Sequence, residues 1–512
     1  MQNRLLVLLC VSVPSFMINL DANIVAVSLS SITRSLHADF AAIEWVISAY
    51  TLAFATLLMP AGALADRFGR KRMLVTGLAI FTLASGLCGV AHTPDVLNWA
   101  RALQGAGAAL QLSAALAILS HSFQGRERAN AFAFWGSVIG VAMMLGPVAG
   151  GLITQWLGWQ WAFYVNLPVG AFMIALTLYA VKESKDPNAV RVDLAGVLTF
   201  SGFLGLLTLA LISGNRAGWL SSSILVELSC AVVLLIAFLI VETIQARPMV
   251  ELKYFLRRTY LGANIAGLGY AVAFLTMLTY LPFFFQSALG YDPLTAGLLM
   301  LPLALPLFVV PRLVALYLDH RLSGRTLLMI GLVLVGTGLL LAALKVTLFR
   351  YPLIFESMLI ASIGAGILNG QTAKVGMTVI PVERAGMASG ISGTTRFSGL
   401  VVGFATLGAI LFARIDASVG QVLPGLASED RLAITRSIAN GDLVQALSLI
   451  EAQHGAASVV KECLGYGYQG LLFTAAIVAL VAAALCWLLV SPRETAPHGV
   501  AGNAPVLELT AE

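Results

Sequence analysis

The amino-acid sequence predicts an all-α membrane protein that crosses a lipid bilayer about fourteen times. Hydrophobic residues make up 59% of the 512 residues and charged residues only 11%, whereas globular chains are about 45–50% apolar and about 25% charged. The apolar segments run to about 20 residues or more, the length that a membrane-spanning helix needs. They lack the strict apolar–polar alternation of a transmembrane β-barrel, so helices are favoured.

Hydropathy places the fourteen predicted spans in order along the chain, and their even number puts both termini on one side of the membrane. Their predicted bounds are roughly 5–30, 42–64, 72–91, 95–120, 130–152, 160–181, 193–214, 222–244, 260–282, 292–317, 326–346, 352–373, 386–412 and 468–490.

The basic residues predict the orientation of these spans. Most of the 30 Lys and Arg residues fall in segments on the same side as the N-terminus, and short cytoplasmic segments are the ones enriched in Lys and Arg. Both termini are therefore expected in the cytoplasm and the 413–467 loop outside, with a short helix within 429–452. Because topology accounts for the net charge of +5, the bilayer is the expected partner and nucleic acid is not.

The sequence does not contain the motifs of an ATP-driven pump or a membrane-bound metalloenzyme. It has no G-x-x-x-x-G-K-[ST] segment and no H-E-x-x-H segment. None of the five cysteines forms a C-x-x-C pair. We therefore expect no enzymatic activity, no cofactor and no metal site.

A repeated segment predicts how the spans are organised. Residues 62–72 read GALADRFGRKR between spans 2 and 3, and a weaker copy, LDHRLSGR at 318–325, lies between spans 10 and 11. Two six-span halves with an inserted pair of spans explain this spacing, which is a known transporter architecture. The expected units are a first half at 1–181, a linker with two inserted spans at 182–258, a second half at 259–491 and a cytoplasmic tail at 492–512.

The first copy of the repeat combines residues suited to a tight, charged loop. Gly62 and Gly69 are expected to permit close backbone approach and turning. Asp66 is suited to cap a neighbouring helix N-terminus, where the helix dipole favours negative charge. Arg67 and Arg70 are expected to hold the cytoplasmic face, although basic residues also serve topology alone.

Three ionisable residues inside predicted spans are candidates for the transport chemistry, because buried charges in a membrane are costly unless paired or facing a cavity. Asp21 lies in span 1, Arg101 in span 4 and Glu356 in span 12. Asp21 and Arg101 lie at similar depth, so they can approach one another. The alternatives are a structural hydrogen bond for Asp21, snorkelling for Arg101 and an interfacial position for Glu356, four residues past Pro352.

Span 5 carries a group of helix-weakening residues, Gly146, Pro147, Gly150 and Gly151. Glycine and proline permit bending and close helix packing, and ordinary small-residue packing is the alternative reading. At the start of span 6, the segment 159–170 is expected to anchor the chain at the membrane interface.

In their order and spacing, these motifs resemble those of the major facilitator superfamily, specifically the fourteen-span bacterial multidrug:proton antiporters. The resemblance implies that the 62–72 loop gates the inward opening, with Asp66 meeting the start of span 13 near Gly386. It implies a role in proton coupling for Arg101. It identifies the glycines of span 5 as an antiporter motif.

The resemblance also implies a function and a site. The function is secondary active transport, a proton-coupled antiport that exports lipophilic or cationic compounds; a dedicated exporter or importer of one metabolite is the alternative. Spans 1, 4, 9 and 12 would line the cavity, with Asp21, Arg101 and Glu356 for coupling. Its aromatic walls would be Tyr270, Phe274, Tyr280 and Phe283. The implied partners are small-molecule substrates, protons and periplasmic adaptor proteins, at the bacterial inner membrane.

Overall fold

The computed structural model describes most of the chain. The described residues are 4–36, 38, 40–123, 125–185, 193–245, 248, 250, 252–380, 385–424, 426–441, 443–450 and 456–496.

The described residues contain fourteen helices that are long and apolar enough to cross a membrane, which confirms the predicted number. We call them spans 1 to 14. Their bounds are Arg4–Leu36, Ala42–Phe68, Arg70–Gly89, Pro94–Ser122, Phe134–Trp156, Trp161–Ala180, Leu194–Gly214, Ser222–Ile244, Arg258–Ser287, Pro293–Leu318, Gly324–Leu348, Tyr351–Met377, Ile391–Val422 and Ala456–Leu489.

The long loop before the last span is shorter than the sequence predicts. Span 13 continues to Val422 and span 14 begins at Ala456. Hydropathy placed these ends too early and too late because polar residues lower the local hydropathy without ending the helix. The predicted single helix is instead a pair, Ser428–Ala439 and Leu443–Ile450. The first of them is held to the extended span 13 by Arg431, whose Nε donates to Asp416 Oδ1 at 2.9 Å.

Spans 1–6 and spans 9–14 show the same pattern of helix contacts. Span 4 packs against spans 2 and 3 in the first group, and span 12 packs against spans 10 and 11 in the second. Spans 3 and 6 are in contact, as are spans 11 and 14. The intervening spans 7 and 8 pack on one another, and span 7 also contacts spans 2 and 13.

Small residues set how closely the spans approach. In span 4, a Cβ at Gly105 would collide with the backbone carbonyl of Tyr50, and a Cβ at Gly107 would lie 2.6 Å from the backbone nitrogen of Phe81. Span 4 is therefore pressed against spans 2 and 3. Small residues permit this close approach between membrane helices.

The two halves touch at the ends of the spans away from the chain termini. We call these ends of the spans the far side. The opposite side, where span 1 begins and span 14 ends, is called the terminal side. Gln286 of span 9 donates to the carbonyl of Val27 in span 1 at 2.8 Å. The backbone nitrogen of Leu294 donates to Gln155 at 3.1 Å, which joins spans 10 and 5. The structure is thus closed on its far side.

The packing of span 4 predicts different effects for two glycine substitutions. Gly105→Ala would force spans 2 and 4 apart and should destabilise the protein by about 1–3 kcal/mol, the usual cost of overpacking. Gly136→Ala in span 5 is the matched control, because a Cβ there meets nothing within 4 Å. Thermal unfolding in detergent should show a lower midpoint for the first variant only. Equal midpoints would contradict the tight contact.

Candidate proton-coupling site

A buried ion pair lies in the first half, where sequence analysis expected one. Arg101 Nη1 of span 4 lies 2.6 Å from Asp21 Oδ2 of span 1, and the two side chains are 1% and 0% exposed. The structure therefore brings together two of the three predicted coupling residues. The snorkelling alternative for Arg101 is wrong, because its guanidinium is enclosed between helices.

Every described polar partner of Asp21 is a hydrogen-bond donor. Besides Arg101, Gln104 Nε2 donates to Asp21 Oδ1 at 2.8 Å, and Asn166 Nδ2 donates to the same oxygen at 3.0 Å. The Gln104 amide is oriented by Arg101, which can only donate and lies 2.6 Å from Gln104 Oε1. This donor set matches an ionised carboxylate, which only accepts.

Arg101 also contacts span 2 with the rest of its guanidinium. Its Nε donates to the carbonyl of Val46 at 3.0 Å, and its Cζ lies 4.1 Å from the ring centre of Tyr50. The same Cζ atom lies 5.8 Å from the ring centre of Phe163 in span 6. The cation is thus held by a carboxylate, two carbonyl-type oxygens and aromatic faces, the usual substitutes for water around a buried charge.

Two residues of this site, Gln104 and Asn166, were not predicted as site residues. Asn166 lies in the segment 159–170 that we expected to anchor the interface, so that expectation is wrong for this residue. Ser85 of span 3 links the two amides, with its Oγ 2.9 Å from Gln104 Nε2 and 3.4 Å from Asn166 Nδ2. A buried amide within an apolar span is the sequence signal that points to such positions.

The third predicted coupling residue, Glu356, does not join this cluster. Its side chain is 72% exposed, and its carboxylate lies 3.3 Å from Lys345 of span 11. The interfacial alternative describes this position better than the cavity one. The reason is geometric, since Glu356 lies in the second turn of span 12 and faces the end of the neighbouring helix.

The four predicted cavity aromatics of span 9 form two groups. Tyr270 and Phe274 stack with ring centres 6.0 Å apart, and Arg396 Cζ of span 13 lies 5.5 Å from the Tyr270 ring. Tyr280 and Phe283 line a small cavity on the far side, between the two halves. All four are buried. A separate cavity, near the terminal ends of spans 9, 11 and 14, includes none of the predicted site residues.

A second buried acid, which was not among the predicted site residues, lies at the cavity of Tyr280 and Phe283. Glu44 is only 7% exposed and its Oε1 lies 3.3 Å from the Tyr280 hydroxyl. Its position two residues inside the start of span 2 resembles that of an interfacial acid, so hydropathy gave no reason to single it out. Only the packing of span 2 on spans 9 and 13 shows that it is enclosed.

The 62–72 loop is a tight turn that is fastened to the segment after span 6. Gly69 has φ +115°, a conformation that glycine adopts without strain. The Glu183 carboxylate accepts from the backbone nitrogens of Lys71 at 3.1 Å and Arg72 at 3.2 Å. Glu183 therefore caps the N-terminus of span 3, the capping role that we expected Asp66 to play at another helix.

Asp66 has a partner within the loop, and Gly62 differs from its expected role. Asp66 Oδ1 lies 2.8 Å from Arg70 Nη2, so this ion pair joins the end of span 2 to the start of span 3 across the turn at Gly69. The expected contact of Asp66 near Gly386 falls where the side chains lie outside the described residues. Gly62 lies within span 2, and a Cβ there would meet nothing within 4 Å, so close approach does not require it. The guanidinium carbon of Arg67 lies 5.3 Å from the centre of the neighbouring Phe68 ring.

The glycines of span 5 are contact points with both halves. Gly146 and Gly150 face Asn23 and Ile24 of span 1, and Gly151 faces Leu294 of span 10. Pro147 lies inside the helix, and its carbonyl is the atom that a Cβ at Gly297 would strike. The span 5 motif thus lets the far-side ends of spans 5 and 10 touch, as close packing at small residues allows.

Comparisons with known proteins agree with this architecture. A family model described as Major Facilitator Superfamily matches residues 11–404. The multidrug resistance protein Stp of Mycobacterium tuberculosis (strain CDC 1551 / Oshkosh) is 36% identical over 431 residues, which cover 82% of this chain and 78% of that protein. The methylenomycin A resistance protein of Streptomyces coelicolor is 33% identical, over 80% of this chain and 86% of its own.

A solved structure shares the fold. The crystal structure of a bacterial homolog of the human lysosomal transporter Spinster aligns with a TM-score of 0.65 over 96% of this chain and 98% of that chain. At 15% sequence identity, this similarity concerns the fold alone. It carries no information about the substrate.

The turn between spans 2 and 3 predicts a contrast between its two glycines. Gly69→Ala should destabilise the turn, because an alanine would be strained at this φ and its Cβ would lie 2.6 Å from the Glu183 carboxylate. Gly62→Ala should be neutral or stabilising by up to about 1 kcal/mol, because alanine is favoured within a helix. Transport rate and thermal unfolding of the two variants, measured side by side, should differ in this direction. A loss at Gly62 equal to that at Gly69 would refute the assignment.

Proposed function

This chain belongs to the Major Facilitator Superfamily, and from that premise we propose that it exports lipophilic and cationic compounds in exchange for protons. It is a membrane transporter of small molecules and not an enzyme. The observation that carries the proposal is the buried Asp21–Arg101 pair. The relatives named for multidrug resistance and drug efflux support export as the direction.

The pair provides a chemical basis for coupling. A carboxylate paired with a guanidinium in a low-dielectric site is sensitive to any third charge that enters. A proton on Asp21 neutralises the carboxylate and removes its charge–charge attraction to Arg101, which can then pair with another group. A cationic substrate near the carboxylate favours loss of that proton. Substrate and proton therefore compete at one site, and each biases the same equilibrium between the two openings.

Some relatives favour a second candidate function. Besides the multidrug proteins, the matches include a methylenomycin A resistance protein and a probable actinorhodin transporter of Streptomyces coelicolor, each named for a single compound. A dedicated exporter of one metabolite would use the same coupling pair with a more selective cavity. Growth of an efflux-deficient host with a panel of unrelated lipophilic cations separates the two. Resistance to several cations supports multidrug export, and resistance to none supports the dedicated exporter.

We propose the bacterial inner membrane as the location, with both termini in the cytoplasm. The positive-inside distribution of Lys and Arg supports this orientation. Periplasmic adaptor proteins fit as partners because the two helices Ser428–Ala439 and Leu443–Ile450 would then project into the periplasm.

Asp21→Asn should abolish proton-driven efflux of a lipophilic cation. The amide keeps the shape of the carboxylate but carries neither its charge nor a titrating proton, so Arg101 is left without its counter-ion. The measurement is uptake of ethidium into inverted vesicles under an imposed pH gradient. Glu429→Gln is the control, because this acid is exposed on the helix Ser428–Ala439 and should leave uptake unchanged. A cation gradient built by Asp21→Asn would show that Asp21 is not the coupling group.

Labelling tests the orientation. In a cysteine-free background, Ser428→Cys should react with a membrane-impermeant maleimide on cells whose outer membrane admits the reagent. Arg493→Cys, which is exposed at the terminal side, should react only after the inner membrane is permeabilised. The reverse pattern would place the termini outside. Native Cys463 is unsuitable as a reporter because it is buried in span 14.

A further inference from the structure

The carboxyl of Glu44 lies where three spans from both halves meet on the far side. Tyr280 of span 9 contacts it through its hydroxyl, and Gly408 of span 13 lies directly against it, so that a Cβ at Gly408 would overlap Oε1. Leu29 of span 1 lines the same small cavity. Glu44 lies in the first half, whereas Tyr280 and Gly408, which contact it, lie in the second half. It is therefore part of the junction that must separate when the far side opens.

The hydrogen bonds around Tyr280 indicate where the protons are. The Tyr280 hydroxyl lies 2.8 Å from the carbonyl oxygen of Phe404 and 3.3 Å from Glu44 Oε1. A carbonyl oxygen only accepts, so the single hydroxyl hydrogen of Tyr280 is directed to Phe404, the closer partner. The contact between Glu44 and Tyr280 is then completed by a proton on Glu44, which donates to the hydroxyl oxygen.

The surroundings of Glu44 also supply no compensating charge. Among the residues that the structure describes, the polar group in contact with the Glu44 carboxyl is the Tyr280 hydroxyl. The titratable groups facing it are Tyr280 and, behind that side chain, Tyr468 of span 14, whose hydroxyl donates to the carbonyl of Tyr280 at 3.2 Å. Span 1 contributes Leu29 and span 13 contributes Phe404, neither of which titrates. A carboxylate enclosed in this way would be an unpaired buried charge, which is strongly unfavourable.

We propose that Glu44 is a second proton-binding site, and that its proton holds the far side closed. Loss of the proton breaks the O–H bond of Glu44 and passes the proton to water entering the adjoining cavity. Among the described residues, no cation contacts the carboxylate that remains, so the closed junction would hold an unpaired buried charge. Separation of the two halves exposes this charge to water and removes that cost. The inference rests on the proposed proton-coupled function, and it assigns the far-side opening to a carboxyl different from Asp21.

Infrared difference spectroscopy tests the protonation state directly. The carbonyl stretch of a protonated carboxylic acid lies apart from that of a carboxylate, so subtracting the Glu44→Gln spectrum from the wild-type spectrum isolates Glu44. At neutral pH, in the absence of substrate, we expect a protonated carboxylic acid band in the difference. A carboxylate band in its place would overturn the proposal.

Distances between spin labels test the effect on opening. Labels at His92→Cys in the first half and Ser428→Cys in the second lie at exposed far-side positions, and their separation is measured by electron–electron resonance across a pH series. In the wild type, the longer distance should gain population as the pH rises. In Glu44→Gln, whose amide still donates to Tyr280, the shorter distance should persist at every pH. A pH profile identical to that of the wild type would overturn the proposal.

Two further variants separate this inference from the coupling role of Asp21. Asp21→Asn should retain the pH-dependent distance change even though it loses proton-driven efflux. If Asp21→Asn removes the change and Glu44→Gln does not, the Glu44 proposal fails while the coupling proposal stands. Gly408→Ala should populate the longer distance even at low pH, because the added methyl displaces the Glu44 carboxyl. A closed far side in that variant would contradict the assigned contact.

Discussion

A full positive charge buried in the middle of the first half constrains much of the surrounding structure. Arg101 is 1% exposed in its side chain, and a buried cation without compensation costs several kcal/mol even after local relaxation. Asp21 supplies the opposite charge, and carbonyl and aromatic groups from spans 2 and 6 occupy the remaining directions. Four spans, 1, 2, 4 and 6, must therefore keep their relative positions for this one charge to stay satisfied.

This arrangement also explains why the site is suited to coupling. Removing one member of a buried ion pair leaves the other uncompensated, at a cost of about 3–5 kcal/mol. Protonation of Asp21 has a similar effect on Arg101 without any covalent change in the protein. The site thus converts the arrival of one proton into a free-energy change large enough to shift an equilibrium between two conformations.

The two buried acids at the functional sites differ in the partners that surround them. Asp21 is surrounded by donors, as an ionised carboxylate requires. Glu44 faces a hydroxyl whose hydrogen is directed elsewhere, as a protonated carboxyl requires. On this account, one conformation holds one acid ionised and the other protonated. Because the two lie on different helices, the far-side junction and the coupling pair can respond to protons separately.

The sequence was sufficient for those features that depend on composition and local spacing. Apolar length predicted fourteen spans, and the rarity of charges inside them singled out Asp21 and Arg101. Features that depend on three-dimensional packing were missed. Glu44 is buried only because spans 9 and 13 cover the start of span 2, and Asn166 reaches Asp21 only because span 6 packs on span 1.

The central claim is that a cationic substrate and a proton compete at Asp21. The most direct test is the number of protons released when the purified protein binds tetraphenylphosphonium in weakly buffered detergent, followed with a pH indicator. The protein is first acidified until Asp21 is protonated, because an ionised Asp21 has no proton to release. The account then predicts proton release by the wild type and by Glu429→Gln, and none above background from Asp21→Asn at matched occupancy of the cation. Equal proton release by Asp21→Asn and the wild type would contradict it.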